Sequence, residues 1–551
     1  MSRQKTVEVM KEQKKCILAV DLGTSGPKTA LISVYGEVIG SEFKDTPVIL
    51  YPDGGAEQDP QGWWKAILNT AKEVIGKNLV APDDIVAVSV TTQWSGTVAV
   101  DKSGKHLMNA IIWMDSRGSE SVKNILKGFL KIQGYPLFKI LTWQRLTGGA
   151  PGLAGKDPIS HILWIKENHP QIYADTYKFL EPKDYINLCF TGKFTATYDS
   201  ILLHWVTDNR NPSDVVYSDK LLKMTGIDRA KLPDLIRAID IVGPVKDEIA
   251  AEIGLKKGTP VIGGTPDVPS AGVGSGAVRD YEGHLYVGTS SWISAHVPFK
   301  KTDIAHNFGS FPSPIPGRYI ILSEQESAGK CLTWLRDNII YHKDELMLEE
   351  DAPDIFKFLD KMVERVPAGA NGVIFTPWLY GERSPVDDCN IRASLFNLSL
   401  ENTREDILRA VFEGVAFNAR WLLEPVEKFM GRYFEYLNFI GGGANSDVWS
   451  QIFADILNRK IRQVKDPIYS NARGAAFLAA IALHHIEPKD IPRYIQIKAE
   501  YTPDPANRSI YDALYKEFVN YYKAQREACA RLNKRKAGVC SVQKHNQEEF
   551  F

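Results

Sequence analysis

The tripeptide Gly-Thr-Ser occurs at Gly23–Ser25 and again at Gly288–Ser290, and each copy joins two strand-like runs. Before the first copy, ILAV at 17–20 runs into Asp21-Leu22-Gly23-Thr24-Ser25-Gly26, and the chain resumes as TALISV. Before the second comes LYV at 285–287, and after it WISAHV. Two strand–turn–strand units placed about one domain apart predict two similarly built halves, each offering a glycine turn to a shared cleft. The length agrees, since 551 residues exceed the roughly 250–300 at which a single core stops growing.

Between the two copies, the helix-spaced WWKAILNTAKEVIG at 63–76 precedes the strand-like IVAVSVTT at 85–92. Strands alternating with helices predict an α/β layered fold. Glycines and a proline gather in LKKGTPVIGG at 255–264, which places the domain boundary there. The expected division is an extension at 1–15, a first domain at 16–258, a second at 259–500 and a basic helical tail at 501–551. Helices are expected over 326–341, 402–430, 446–458 and 472–483, and Trp63-Trp64 is expected in the core.

Lys+Arg 66 against Asp+Glu 67 gives a net charge of -1, without the basic excess of a nucleic-acid-binding protein. The basic run YYKAQREACARLNKRK at 521–536 reads as a solvated terminal helix. Cys16, Cys189, Cys331, Cys389, Cys529 and Cys540 form no C-x-x-C pair, which argues against a zinc site or disulfide framework and for a reducing compartment. The first fifteen residues lack the apolar core of a secretory signal, and no run approaches the ~18 apolar residues of a membrane span. The expectation is a cytoplasmic protein without nucleic-acid or membrane partners; a homodimer is compatible with the sequence.

Four segments carry candidate chemistry. The Asp21–Gly26 turn exposes backbone N–H groups and hydroxyls that cradle phosphate oxygens, and Asp21 at the strand end suits the Mg²⁺ that accompanies a nucleotide. Lys28 follows on the next strand. Gly288-Thr289-Ser290 repeats the turn. Gly441-Gly442-Gly443-Ala444-Asn445, between a strand and a helix, allows a flat ring or phosphate close to the backbone. Gly263-Gly264-Thr265-Pro266-Asp267 delivers one carboxylate toward the interdomain space, where it can take a proton from an attacking hydroxyl. Each segment alone also reads as an ordinary turn, and Asp267 as a helix N-cap. The chain lacks G-x-G-x-x-G and the P-loop pattern: Gly329-Lys330 is followed by Cys331 without the upstream glycine. His484-His485 has no partner at ligand spacing, and Ser25-x-x-Lys28 lacks the companion motifs of a serine β-lactamase.

In this order the segments resemble the FGGY carbohydrate kinases, and within them the xylulokinase branch, from about Ile17 to Ile486. AIIWMDSRG at 110–118, LEPKDYINLCFTGKF at 180–194, FTPWLYGERSP at 375–385 and ARGAAFLAA at 472–480 support the likeness. The resemblance implies two actin-like, ribonuclease-H-like domains with ATP and sugar in the cleft between them. It implies Asp267 as the catalytic base and Asp21 beside Mg²⁺, with Asp267 the second candidate metal ligand. Gly23, Thr24, Ser25, Gly288, Thr289 and Ser290 would hold the transferred phosphate, and Gly441 to Asn445 would cover the adenosine. The fourth strand would end at the sugar with Gln93, Trp94 and Ser95. Departures from the branch fall at the sugar. Gln93-Trp94-Ser95-Gly96 stands where Gln-Met-His-Gly is usual, Val268 follows the base in place of a polar residue, and His161 replaces a lysine. The implied activity is transfer of the γ-phosphate of ATP to a small ketose such as D-xylulose. Alternatives are another ketose or polyol as acceptor, a transferase acting on acyl phosphates, or a non-catalytic actin-like protein or sugar sensor.

Overall fold

The computed structural model describes residues 15–128, 130–132, 134–340 and 356–533. Most of the expected 1–15 extension, the end of the 501–551 tail and Cys540 lie outside the described residues. The first sheet is assembled from β1 (Cys16–Gly23), β2 (Gly26–Ser33), β3 (Val38–Phe43), β4 (Ile85–Thr92), β5 (Ile241–Pro244) and β6 (Pro260–Ile262). Its spatial order is β5-β6-β4-β1-β2-β3. The hairpins β1–β2 and β2–β3 are antiparallel, β4 runs parallel to β1 and β6 parallel to β4, and β5 closes the edge antiparallel to β6.

The second sheet repeats this pattern with β7 (Gly283–Val287), β8 (Ser291–Val297), β9 (Tyr319–Leu322), β10 (Tyr436–Ile440), β11 (Lys460–Val464) and β12 (Ile497–Tyr501). The order β9-β8-β7-β10-β11-β12 again has a meander, two further parallel strands and an antiparallel edge. The repetition of Gly-Thr-Ser in the sequence therefore marks a repeated topology. β1 and β4 read as continuous apolar runs because helices cover both faces of the sheet.

One covering helix, α1 (Pro60–Gly76), starts three residues before the expected Trp63. Asp59 caps it by accepting from the N–H groups of Gln61 and Gly62, with Pro60 in the first turn. Its Trp63 is fully buried and Trp64 packs at the margin of the same core. Near the centre of the molecule, α2 (Asp267–Gly274) crosses α4 (Ser470–Ala482), a helix of the second half that packs on β1 and β4 of the first. A Cβ on Gly274 would meet the Ser470 carbonyl at 1.8 Å, and one on Gly474 the Ser270 carbonyl at 2.0 Å, so only glycines permit this crossing. α3 (Arg404–Met430), closed by a Thr403–Asp406 capping box, is the long core helix of the second half. Over 326–341 the helix Gly329–Leu335 passes into a π-helical turn at Arg336–Ile340.

Two expectations need correction. Strand β6, assigned to the second domain by a boundary at 258/259, is hydrogen-bonded into the first sheet beside β4, because its apolar Val261 and Ile262 complete that core. The second concerns the tail: the basic run from 521 is solvated as expected apart from the buried Tyr522, but the helix that carries it begins at Arg508 and anchors the tail in a core. α5 (Arg508–Leu532) buries Tyr511, Tyr515, Phe518 and Tyr522 in the core of the second half, and its basic residues occupy the outer face. Among the described residues, no helix is long and apolar enough to cross a membrane.

Candidate active site

The three central parallel strands of each sheet end at one cleft of about 1830 Å³ between the halves. From the first sheet, β1 delivers Gly23-Thr24-Ser25, β4 delivers Gln93-Trp94-Ser95 and β6 delivers the turn to Asp267. From the second, β7 delivers Gly288-Thr289-Ser290, β10 delivers Gly441–Asn445 and β11 leads to the start of α4. Ligands of open α/β sheets bind beyond the carboxyl ends of the strands for this reason. All the expected site residues line the cleft except Ala444. Ala444 is buried beneath it, and its carbonyl accepts from Gln463 Nε2 at 2.8 Å.

Asp267 occupies the first turn of α2 and lines the cleft, and its Oδ1 accepts from the Val268 N–H at 2.8 Å. Burial, then the charges of Asp21 and Glu324, push its pKa up to about 8. Burial also raises Asp21, against the pull of Lys28 and a hydrogen bond from Asn471 of α4. A wholly buried network fixes the turn before Asp267. The Gly263 carbonyl accepts from Lys183 Nζ at 2.9 Å and from Asn187 Nδ2 at 2.8 Å. Lys183 is ion-paired with Asp184, and Thr265 donates to Asp199. Gly264 has φ 70°, and a Cβ there would meet the Val90 carbonyl at 2.1 Å. Ser200 Oγ donates to Asp184 at 2.7 Å, while its carbonyl accepts from Trp94 Nε1 at 3.1 Å. One network thus sets both the Asp267 turn and the Trp94 ring. In the sequence Lys183 and Asp184 stand out only within a family stretch, because Gly263, which Lys183 holds, lies eighty residues away.

Several expected contacts are inward rather than open. Gln93 Nε2 donates to Gln58 Oε1 at 2.7 Å, and its Oε1 accepts from Thr24 Oγ1 at 3.0 Å. Thr24 Oγ1 in turn accepts from Trp113 Nε1 at 3.0 Å. Ser95 has a left-handed backbone, φ 65°, and its Oγ donates to the Lys156 carbonyl at 2.9 Å. Lys28 Nζ donates to the Ile468 carbonyl at 3.0 Å and lies over the Tyr469 ring, tying the first hairpin to the second half. Ser25, Thr289, Gly442 and Asn445 are exposed in the cleft. Gly329, set aside in the sequence as no P-loop, donates its N–H to the Gly288 carbonyl at 2.7 Å, and Lys330 beside it lines the cleft. His161 is not at the cleft. It is buried against Thr97, and burial and Arg117 push it down to about 3, so it is neutral. Val268 packs against the cluster that holds Trp94 and Trp205.

Two family descriptions match the chain. Residues 16–274 match "FGGY family of carbohydrate kinases, N-terminal domain", and residues 285–483 match the corresponding C-terminal domain. The chain is 29% identical to the xylulose kinase of Bacillus subtilis over 517 residues, covering 92% of this chain and 97% of that protein. It is 25% identical to the gluconokinase of the same organism, with coverage of 92% and 96%. Among solved structures, the xylulose kinase of Lactobacillus acidophilus superposes with a TM-score of 0.82 at 24% identity, covering 94% of this chain and all of that one. The gluconate kinase of L. acidophilus superposes with a TM-score of 0.81 at 25% identity, with coverage of 94% and 99%.

Proposed function

The chain belongs to the FGGY family of carbohydrate kinases, and from that premise we propose that it transfers the γ-phosphoryl group of ATP to a hydroxyl of D-xylulose. The observation that carries the reading is Asp267. It is a carboxylate at the start of a helix, raised to about 8, set among glycine loops from both halves and braced by a buried network. The acceptor follows from several relatives named xylulose kinase.

In this reading the acceptor hydroxyl attacks the γ-phosphorus. Its proton passes to Asp267 Oδ2, since Oδ1 is engaged by the Val268 N–H. The bond from the γ-phosphorus to the bridging oxygen breaks, and ADP leaves. A base whose pKa lies near the working pH suits this transfer. The N–H groups and hydroxyls of Gly23–Ser25 and Gly288–Ser290 hold the phosphoryl oxygens from the two sides. Gly441, Gly442 and Asn445 form the floor for the adenosine. Asp21, a buried hard-oxygen donor lining the cleft beside Asp267, fits Mg²⁺. Bound there with the nucleotide, Mg²⁺ would offset the charge of the phosphates. Trp94, fixed through Ser200, forms a wall of the acceptor pocket where a methionine is usual in the branch, and Ser95 stands where a histidine is usual.

The test is ³¹P NMR of the protein with ATP, Mg²⁺ and D-xylulose. A phosphomonoester resonance growing as ATP is consumed supports the assignment. Release of inorganic phosphate alone contradicts it.

A further inference from the structure

The loop from Gly148 to Asp157 forms part of the cleft wall in the first half. Asp157 Oδ2 accepts from the Gly152 N–H at 2.7 Å and from Trp205 Nε1 at 2.7 Å. Among the described residues, no donor reaches Oδ1, and that oxygen is not sealed into the interior. Trp205 belongs with Trp94 to the apolar cluster against which Val268, the neighbour of Asp267, packs. Asp157 is thus one indole away from the wall beside the base, on a loop whose Lys156 carbonyl is held by Ser95 Oγ.

The charges around it are already committed. Across the cleft, Arg383 is paired with Glu324 and, at 2.9 Å, with Glu326. Lys156 Nζ lies 4.0 Å from Glu326 Oε1 and over the Tyr380 ring. Asp387 also lines this end. Its two cations, Lys156 and Arg383, therefore face carboxylates, while the open hydrogen-bonding atom is a carboxylate oxygen. Such a pocket accepts hydroxyl donors and repels an acceptor that carries its own carboxylate.

We infer that Asp157 is an acceptor-binding residue, receiving hydroxyls at the end of the acceptor away from the phosphorylated position and selecting a neutral polyhydroxy chain over an aldonate. The inference rests on the kinase reading above. It relocates the polar reading of the sugar from the position of Val268, which is apolar in this chain, and from Ser95, whose Oγ is engaged by the Lys156 carbonyl, to the loop packed behind them.

The test compares the wild type with Asp157→Asn and Asp157→Glu, using D-xylulose, xylitol and D-gluconate. Acceptor KM is measured with Mg-ATP, and binding by tryptophan fluorescence without nucleotide, so that binding is read even if transfer fails. Loss of a hydrogen bond to a charged group predicts that Asp157→Asn weakens D-xylulose or xylitol binding by roughly 10–100-fold, with the KM for ATP within about twofold. The same variant shifts the preference toward D-gluconate by at least about tenfold, and Asp157→Glu keeps the rejection of D-gluconate. Unchanged polyol binding in Asp157→Asn, or wild-type binding of D-gluconate as tight as that of D-xylulose, overturns the inference. Loss of binding in Asp157→Asn together with absent transfer in the wild type upholds it and removes the kinase reading instead.

Discussion

Asp21 and Asp267 come from neighbouring regions of the first sheet, and the charge of Asp21 is the largest electrostatic cause, after burial, of the raised pKa of Asp267. The pairing follows from topology. β1 ends in the Asp21 turn, β6 in the Asp267 turn, and β4 lies between them with all three parallel. Two carboxylates are thereby brought to the carboxyl edge of one sheet and facing the loops of the other.

Asp267→Asn keeps the shape of the turn and removes the proton acceptor. Turnover is expected to fall by roughly 10²–10⁴-fold, while ATP affinity, measured by calorimetry, stays within a few-fold of the wild type. Unchanged turnover would mean that another group takes the proton.

The same substitution has a pH-dependent effect on stability. The Asp267 carboxyl is raised from 3.8 to about 8 in the folded protein. Between those values the folded state holds a proton that the unfolded chain has released, so stability falls as pH rises across this window. Asp267→Asn removes the penalty. In nucleotide-free, EDTA-treated protein its melting temperature should match the wild type near pH 4 and exceed it by a few degrees at pH 8. Parallel curves across that range would contradict the raised pKa.

Lys183→Met leaves Asp184 in the interior without its cation and leaves the Gly263 carbonyl with Asn187 as its remaining side-chain donor. Breaking a buried pair in this way costs about 3–5 kcal/mol, visible as an earlier urea transition. If the network positions the base, Lys183→Met protein folded at low temperature should also lose turnover by about tenfold or more, with the KM for ATP little changed. A stability loss with normal turnover would make the network purely structural.

The tail helix makes a different prediction. Tyr511 is fully buried, and its hydroxyl donates to Glu413 Oε1 at 2.9 Å and accepts from Arg409 at 3.0 Å. Tyr511→Ala should destabilise the second half by about 3–5 kcal/mol, while Arg531→Ala, on the outer side near the end of α5, should be close to neutral. Equal, small effects would return the helix to a solvated appendage.

What the sequence disclosed was local. Asp21-Leu-Gly-Thr-Ser, the second Gly-Thr-Ser, the triple glycine and the turn to Asp267 each sit where a buried strand ends, and a strand's end can be read from its apolar run. The repeated turn disclosed the repeated sheet. What stayed hidden depends on partners distant in sequence. Lys183 is understood only when Gly263 lies against it, and Asp157 only when Trp205 caps one of its oxygens. The Ala444 side chain belongs to a cleft motif by spacing but is turned inward by a 3₁₀ turn at Gly442–Asn445. In α5, Tyr511, Tyr515, Phe518 and Tyr522 keep helical spacing, but the charges between them dominate its composition and masked the buried stripe. β6 has too few residues to announce which sheet it joins.

The most direct test of the central claim is acceptor-dependent ADP formation from Mg-ATP across D-xylulose, L-xylulose, ribulose, xylitol, erythritol, glycerol and D-gluconate. The account predicts the highest kcat/KM for D-xylulose, with D-gluconate among the poorest acceptors. ADP formation no faster with any of these sugars than without one would contradict it.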